Sequence, residues 1–73
     1  MKATVIGCGR WGSFIAWYLR KIGHEVTLYG REGSRHIEQF CRTRTNGLVT
    51  LEDDVRITTN LREALESELI CIS

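Results

Sequence analysis

The stretch Val5-Ile6-Gly7-Cys8-Gly9-Arg10-Trp11-Gly12 constrains the fold more than any other part of the chain. A short run rich in β-branched residues, Thr4 to Ile6, enters three glycines at G-x-G-x-x-G spacing and leaves into a segment with apolar residues at helical intervals. Each glycine has its own task. Gly7 lets the backbone leave a strand tightly, Gly9 removes a Cβ where the backbone must approach a pyrophosphate, and Gly12 lets a helix lie close on a sheet. The helix that follows aims its free N–H groups and the positive end of its dipole at the phosphates. The turn therefore predicts a dinucleotide-binding βαβ unit, a prediction that depends on the strands and helix around it.

Those elements fall where the turn needs them. Lys2 to Ile6 reads as a short central strand, and Arg10 to about Ile22 as a helix. The helix carries Trp11, Phe14, Ile15, Tyr18, Leu19 and Ile22 on one stripe, expected to be its buried face. Trp17 lies outside that stripe. It reads either as a single exposed aromatic or as a contact for protein outside this chain. Gly23 stops the helix, His24 suits its C-terminal carbonyls, and Glu25 to Tyr29 forms a second strand.

The residues after that second strand bear on the cofactor. NAD and FAD sites usually place a carboxylate there for the ribose hydroxyls, whereas this chain has Gly30-Arg31. A guanidinium can pair with a 2′-phosphate through a bidentate fork, with Ser34 and Arg35 close enough to add contacts. This favours NADP, with NAD possible because Glu32 could swing to the ribose. The other reading of Arg31 is a solvated loop charge.

Ser34 can cap a second helix reaching about Arg42, with Ile37, Phe40 and Cys41 inward and His36 exposed. A loop turned by Asn46-Gly47 leads to a third strand, Val55 to Thr58. Asn60 and Glu63 frame a short helix with Leu61, Ala64 and Leu65 inward. Glu68 to Ser73 closes the chain as a buried-type strand. The expected fold is α/β, a Rossmann-like half of pattern βαβαβαβ with parallel sheet order 3-2-1-4, truncated after the fourth strand. An apolar last strand leaves an edge for the next one, so self-association through that edge or through Trp17 is expected.

Composition narrows the remaining classes. Seventy-three residues make one small domain, and a net charge of +1 gives no electrostatic case for nucleic acid or an anionic membrane. No apolar run is long enough to span a bilayer and no signal-peptide pattern opens the chain, which reads as cytoplasmic. Cys8, Cys41 and Cys71 are odd in number and widely spaced, indicating neither disulfides nor zinc. Glu52-Asp53-Asp54 has no accompanying ligands, so no metal site is expected and the run reads as a solvated loop.

Gly7 to Ser13, GCGRWGS, resembles the G-x-G-x-W-G-[TS] opening of the NAD(P)-dependent glycerol-3-phosphate dehydrogenases. Gly23 to Arg31 is similar to that family's second strand and adenosine-side turn, and Thr59 to Leu65 to its segment before the fourth strand. Related reductases such as ketopantoate reductase share the glycines and a similar G-H-E-V-T-L stretch, so the Trp11-Gly12 pair discriminates best. The chain departs at Arg10, where the family often has Ser, and lacks a Leu-Pro before the third strand. The resemblance implies hydride transfer between NAD(P)H and dihydroxyacetone phosphate, giving glycerol 3-phosphate for phospholipid synthesis. By position, Arg10, Trp11 and Arg31 would contact the cofactor, with the backbone of Gly7, Gly9 and Gly12 on its pyrophosphate. The family's proton-donating lysines and helical substrate domain would lie beyond residue 73, so no catalytic residue is assigned and this chain alone is expected not to turn over substrate. A non-catalytic nucleotide-sensing or assembly module is the alternative from another class.

Overall fold

Alternation along a strand sends Ala3 and Val5 to one face of a sheet and Lys2, Thr4 and Ile6 to the other, and the chain is layered accordingly. A computed structural model describes residues 1–73. In chain order it contains β1 (Lys2–Ile6), α1 (Arg10–Lys21), β2 (Glu25–Tyr29), α2 (Arg35–Thr43), β3 (Arg56–Thr58), α3 (Leu61–Ala64) and β4 (Leu69–Ile72). The four strands form one parallel sheet of order β3-β2-β1-β4, as the pattern predicts. Val5 stands opposite Leu28 on one side and Cys71 on the other. That face is the core face. Val5, Val26 and Leu28 cluster with Ala16 of α1, Ile37 and Phe40 of α2, and Leu51 and Val55 of the following loop. On the opposite face the buried Thr4 hydroxyl meets Ser67 Oγ at 2.5 Å, beside the single turn of α3.

Helix boundaries follow local chemistry. Gly23 and His24 N–H groups close α1 on the carbonyls of Arg20 and Leu19, a glycine-terminated Schellman arrangement. Asn60 caps α3 as its spacing with Glu63 predicts, its Oδ1 accepting the Glu63 N–H at 3.2 Å. Ser34 stands at the N-cap position of α2, but its hydroxyl makes no capping bond. In the long α2–β3 connection, Asn46 Oδ1 accepts from the Leu48 and Val49 N–H groups. Arg44, in the left-handed region with φ +61°, donates through Nη2 to the carbonyls of Glu52 and Val55.

The buried face of α1 is not the expected stripe. Gly12, Ser13 and Ala16 are buried, whereas Trp11 is 73 % exposed and Phe14, Tyr18 and Ile22 are about half exposed. Ile15 and Leu19, at one edge of the stripe, pack partly against the core. Trp17 does so from the opposite flank, with Phe14 5.8 Å away and the Lys21 ammonium 4.8 Å from its ring centroid. The physical reason is the close seat of Gly12 on the glycine turn, which fixes the helix's rotation with its small residues toward the strands. Packing at the chain's end also differs from expectation. Cys41, Leu61 and Leu65 are exposed, leaving Ala64 as the buried residue of α3. Leu69 and Ile70 are exposed as well, and Ile72 is 82 % exposed, because β4 is an edge strand with one neighbour. Val55 is buried just before β3, which starts one residue later than predicted.

Candidate dinucleotide site

The Gly7 N–H donates to the Tyr29 carbonyl at 2.9 Å, and there the chain turns out of the sheet with φ +113° at Gly7, a conformation suited to glycine. The next five backbone N–H groups, Cys8 to Gly12, have no partner within the protein. Ser13 supplies the first helical bond, N–H to the Gly9 carbonyl at 2.9 Å, and its buried hydroxyl donates to the same oxygen at 2.7 Å. Asn46 Nδ2 donates to Ser13 Oγ at 2.9 Å, tying the long loop to the start of α1. Unpartnered N–H groups in a tight turn at a helix start form a concavity for an anion, reinforced by the helix dipole.

The glycines divide their tasks. A Cβ on Gly9 would meet no atom within 4 Å, so the turn is open on that side to a ligand. One on Gly12 would collide with the Gly7 carbonyl oxygen and lie 2.7 Å from Ser73 Oγ. Ser73 comes to the turn through parallel pairing, its N–H donating to the Ile6 carbonyl at 3.0 Å. Sequence reasoning did not single it out, because only β1–β4 pairing brings residues so far apart in the chain together.

Beside the turn lies a cavity of about 340 Å³ at the C-terminal ends of β1 and β2. Gly7, Cys8 and Gly9 form one wall, and Arg31, Ser34 and His36 line it from the β2–α2 junction. Of the predicted site residues, Gly7, Gly9 and Arg31 meet at this cavity, while Gly12 supports the turn from beneath. Arg10 and Trp11 open α1 beside it and are exposed without lining it. Cys8 is buried, its Sγ 3.8 Å from Ser34 Oγ. His36 is exposed as expected, yet lines the cavity, a placement for which its sequence position gave no signal.

Among the side chains lining the cavity, Arg31 carries the one permanent charge. No Asp or Glu side chain lines it, and Glu32 belongs to a separate cavity with Glu38 and Arg42. Asp54 of the acidic run engages Arg20 at 2.7 Å instead. The hydrogen bond from Arg20 holds the Asp54 carboxyl below the usual carboxylate range, and the same bond raises Arg20. Nowhere are three His, Cys, Asp or Glu side chains gathered to hold a metal, and no helix is long and apolar enough to cross a membrane.

A parallel sheet of order 3-2-1-4, with free N–H groups in the turn after β1 and the cavity at the strands' C-terminal ends, defines half of a doubly wound dinucleotide-binding fold. Over residues 2–73 the chain matches the family described as NAD-dependent glycerol-3-phosphate dehydrogenase N-terminus, and it belongs to that family. Among its relatives are three proteins named glycerol-3-phosphate dehydrogenase (NAD(P)+). The one from Exiguobacterium sp. (strain ATCC BAA-1283 / AT1b) is 41 % identical, over 94 % of this chain and 21 % of the relative. That from Thermoanaerobacter sp. (strain X514) is 38 % identical over 100 % and 23 %, and that from Streptomyces griseus is 42 % identical over 89 % and 20 %. The chain thus spans about a fifth of the length of the curated relatives it matches. No solved structure gives a significant match.

Proposed function

We propose that this chain is the cofactor-binding part of an oxidoreductase that interconverts dihydroxyacetone phosphate and glycerol 3-phosphate, with NADP(H) favoured over NAD(H). When bound, the nicotinamide gives or accepts the hydride. The chain's own contribution is binding and orientation. The N–H groups from Cys8 to Gly12 receive the pyrophosphate, Gly9 keeps the approach open, and Arg31 takes the 2′-phosphate, with Arg10 and Trp11 as further contacts beside the turn. One observation carries the reading: a single cavity joins the glycine turn to Arg31 and has no carboxylate side chain to repel a phosphate.

Membership of the glycerol-3-phosphate dehydrogenase family favours that substrate over ketopantoate. Self-association is proposed through the edge of β4 and the exposed flank of α1 rather than through Trp17, which packs partly against the core.

Calorimetric titration of the folded chain tests the reading. NADPH is expected to bind more tightly than NADH, and Arg31→Asp to reverse the order. Absence of NADPH binding by the correctly folded chain overturns the claim that these residues suffice.

A further inference from the structure

We infer that His36 is a second specificity-determining residue for the cofactor's 2′-phosphate, acting with Arg31 from the opposite end of the β2–α2 junction. The inference rests on the dinucleotide-binding reading above and extends it to a residue that its sequence context left unassigned.

Placement comes first. Ile37 is buried, and its Cβ and Cδ1 would lie 2.8 Å from a Cβ on Gly30, so only glycine there lets the first turn of α2 seat on the end of β2. That seat fixes the backbone of Ser34 and His36. A neighbour of a buried helical residue is turned about 100° from it, and His36 lines the same cavity as Arg31. His36 thus stands at the cavity on a helix anchored at Ile37 and Phe40, both buried.

Bonding supplies the second argument. Neither Arg31 nor His36 makes a side-chain hydrogen bond or ion pair within the protein, and Ser34 Oγ has only the Cys8 sulfur at 3.8 Å. Three residues with donor-bearing side chains thus line one cavity, and those side chains have almost no internal partners. With no Asp or Glu side chain lining it, the cavity suits an anion with several acceptor oxygens better than the hydroxyl pair of an unphosphorylated ribose. The Arg31 fork can bind two phosphate oxygens, leaving the third to the imidazole N–H.

Titration of the 73-residue chain with NADPH, NADH, 2′,5′-ADP and 5′-AMP tests the assignment, using the wild type, His36→Ala, His36→Arg and Arg31→Ala. Because His36 is exposed, its variants are expected to keep the wild-type circular dichroism. His36→Ala should weaken NADPH and 2′,5′-ADP about threefold to tenfold while leaving NADH and 5′-AMP within about twofold. His36→Arg, which restores a donor, should recover most of the loss. Equal weakening of NADPH and NADH would place His36 on the shared adenosine or pyrophosphate and overturn the inference. An unchanged NADPH to NADH ratio would also overturn it. If Arg31→Ala abolishes the NADPH preference while His36→Ala preserves it, the role of His36 alone fails. A wild type with no preference defeats both assignments, and one that binds neither dinucleotide defeats the cofactor reading itself.

Discussion

Gly12 sits so tightly beneath Gly7 that a Cβ on Gly12 would strike the Gly7 carbonyl oxygen, whereas a Cβ on Gly9 would meet nothing. The two substitutions should therefore separate stability from binding. Gly12→Ala forces the helix and turn apart and is expected to cost at least about 2 kcal/mol, enough to unfold much of a small domain. Gly9→Ala, at an N-cap with φ −73°, should cost under about 1 kcal/mol and retain the fold, yet weaken NADPH at least about tenfold by occupying the ligand's approach. Thermal melts and calorimetric titration of both variants check the contrast.

The exposed flank of α1 and the β4 edge should make the chain self-associate as concentration rises. Phe14→Glu on the flank and Ile72→Lys on the edge should each shift sedimentation toward the monomer; Ile72→Lys, at an 82 % exposed position, should change stability by no more than about 0.5 kcal/mol, whereas Phe14→Glu also removes the ring pair with Trp17 and should cost about 1 kcal/mol. Sedimentation velocity over a concentration series measures this. A wild-type chain that stays monomeric throughout would refute the association.

The Arg20–Asp54 pair predicts a pH dependence with a definite sign. Asp54 has a lower pKa in the folded chain than its unfolded value of about 3.9, so folding favours its ionised form. Its contribution is fully present above that unfolded value and is lost as pH falls through the folded one. Asp54→Asn should lower the melting temperature at neutral pH, and the gap from wild type should close as the solution is acidified through the carboxylate range. Added salt should narrow the gap at neutral pH, because the pair is exposed.

Asn60→Ala removes the acceptor of the Glu63 N–H and should destabilise the chain by about 1 kcal/mol, or roughly 4–8 °C in melting temperature. Arg56→Ala, which breaks only the exposed 2.9 Å pair with Glu63, should cost less. Thermal melts of the two variants order these contributions.

The element order, the parallel topology and the glycine turn are legible in the chain's local patterns. These follow from local rules: β-branched strands, a glycine stop after Ile22, the Asn60–Glu63 cap and right-handed crossovers. The same patterns put Arg31 just past the end of β2, where it lines the cavity beside the glycine turn. Tertiary structure alone decided which side of α1 is buried. Periodicity identifies an apolar stripe, but the contact between Gly12 and the Gly7 carbonyl sets the helix's rotation, turning Gly12 and Ala16 inward and Trp11, Phe14 and Tyr18 outward. It likewise brought Ser73 to the turn through β1–β4 pairing and His36 to the cavity through the seat of Ile37 on Gly30. Such contacts join residues remote in the chain or depend on how one element docks on another, and neither relation is written in a periodic pattern.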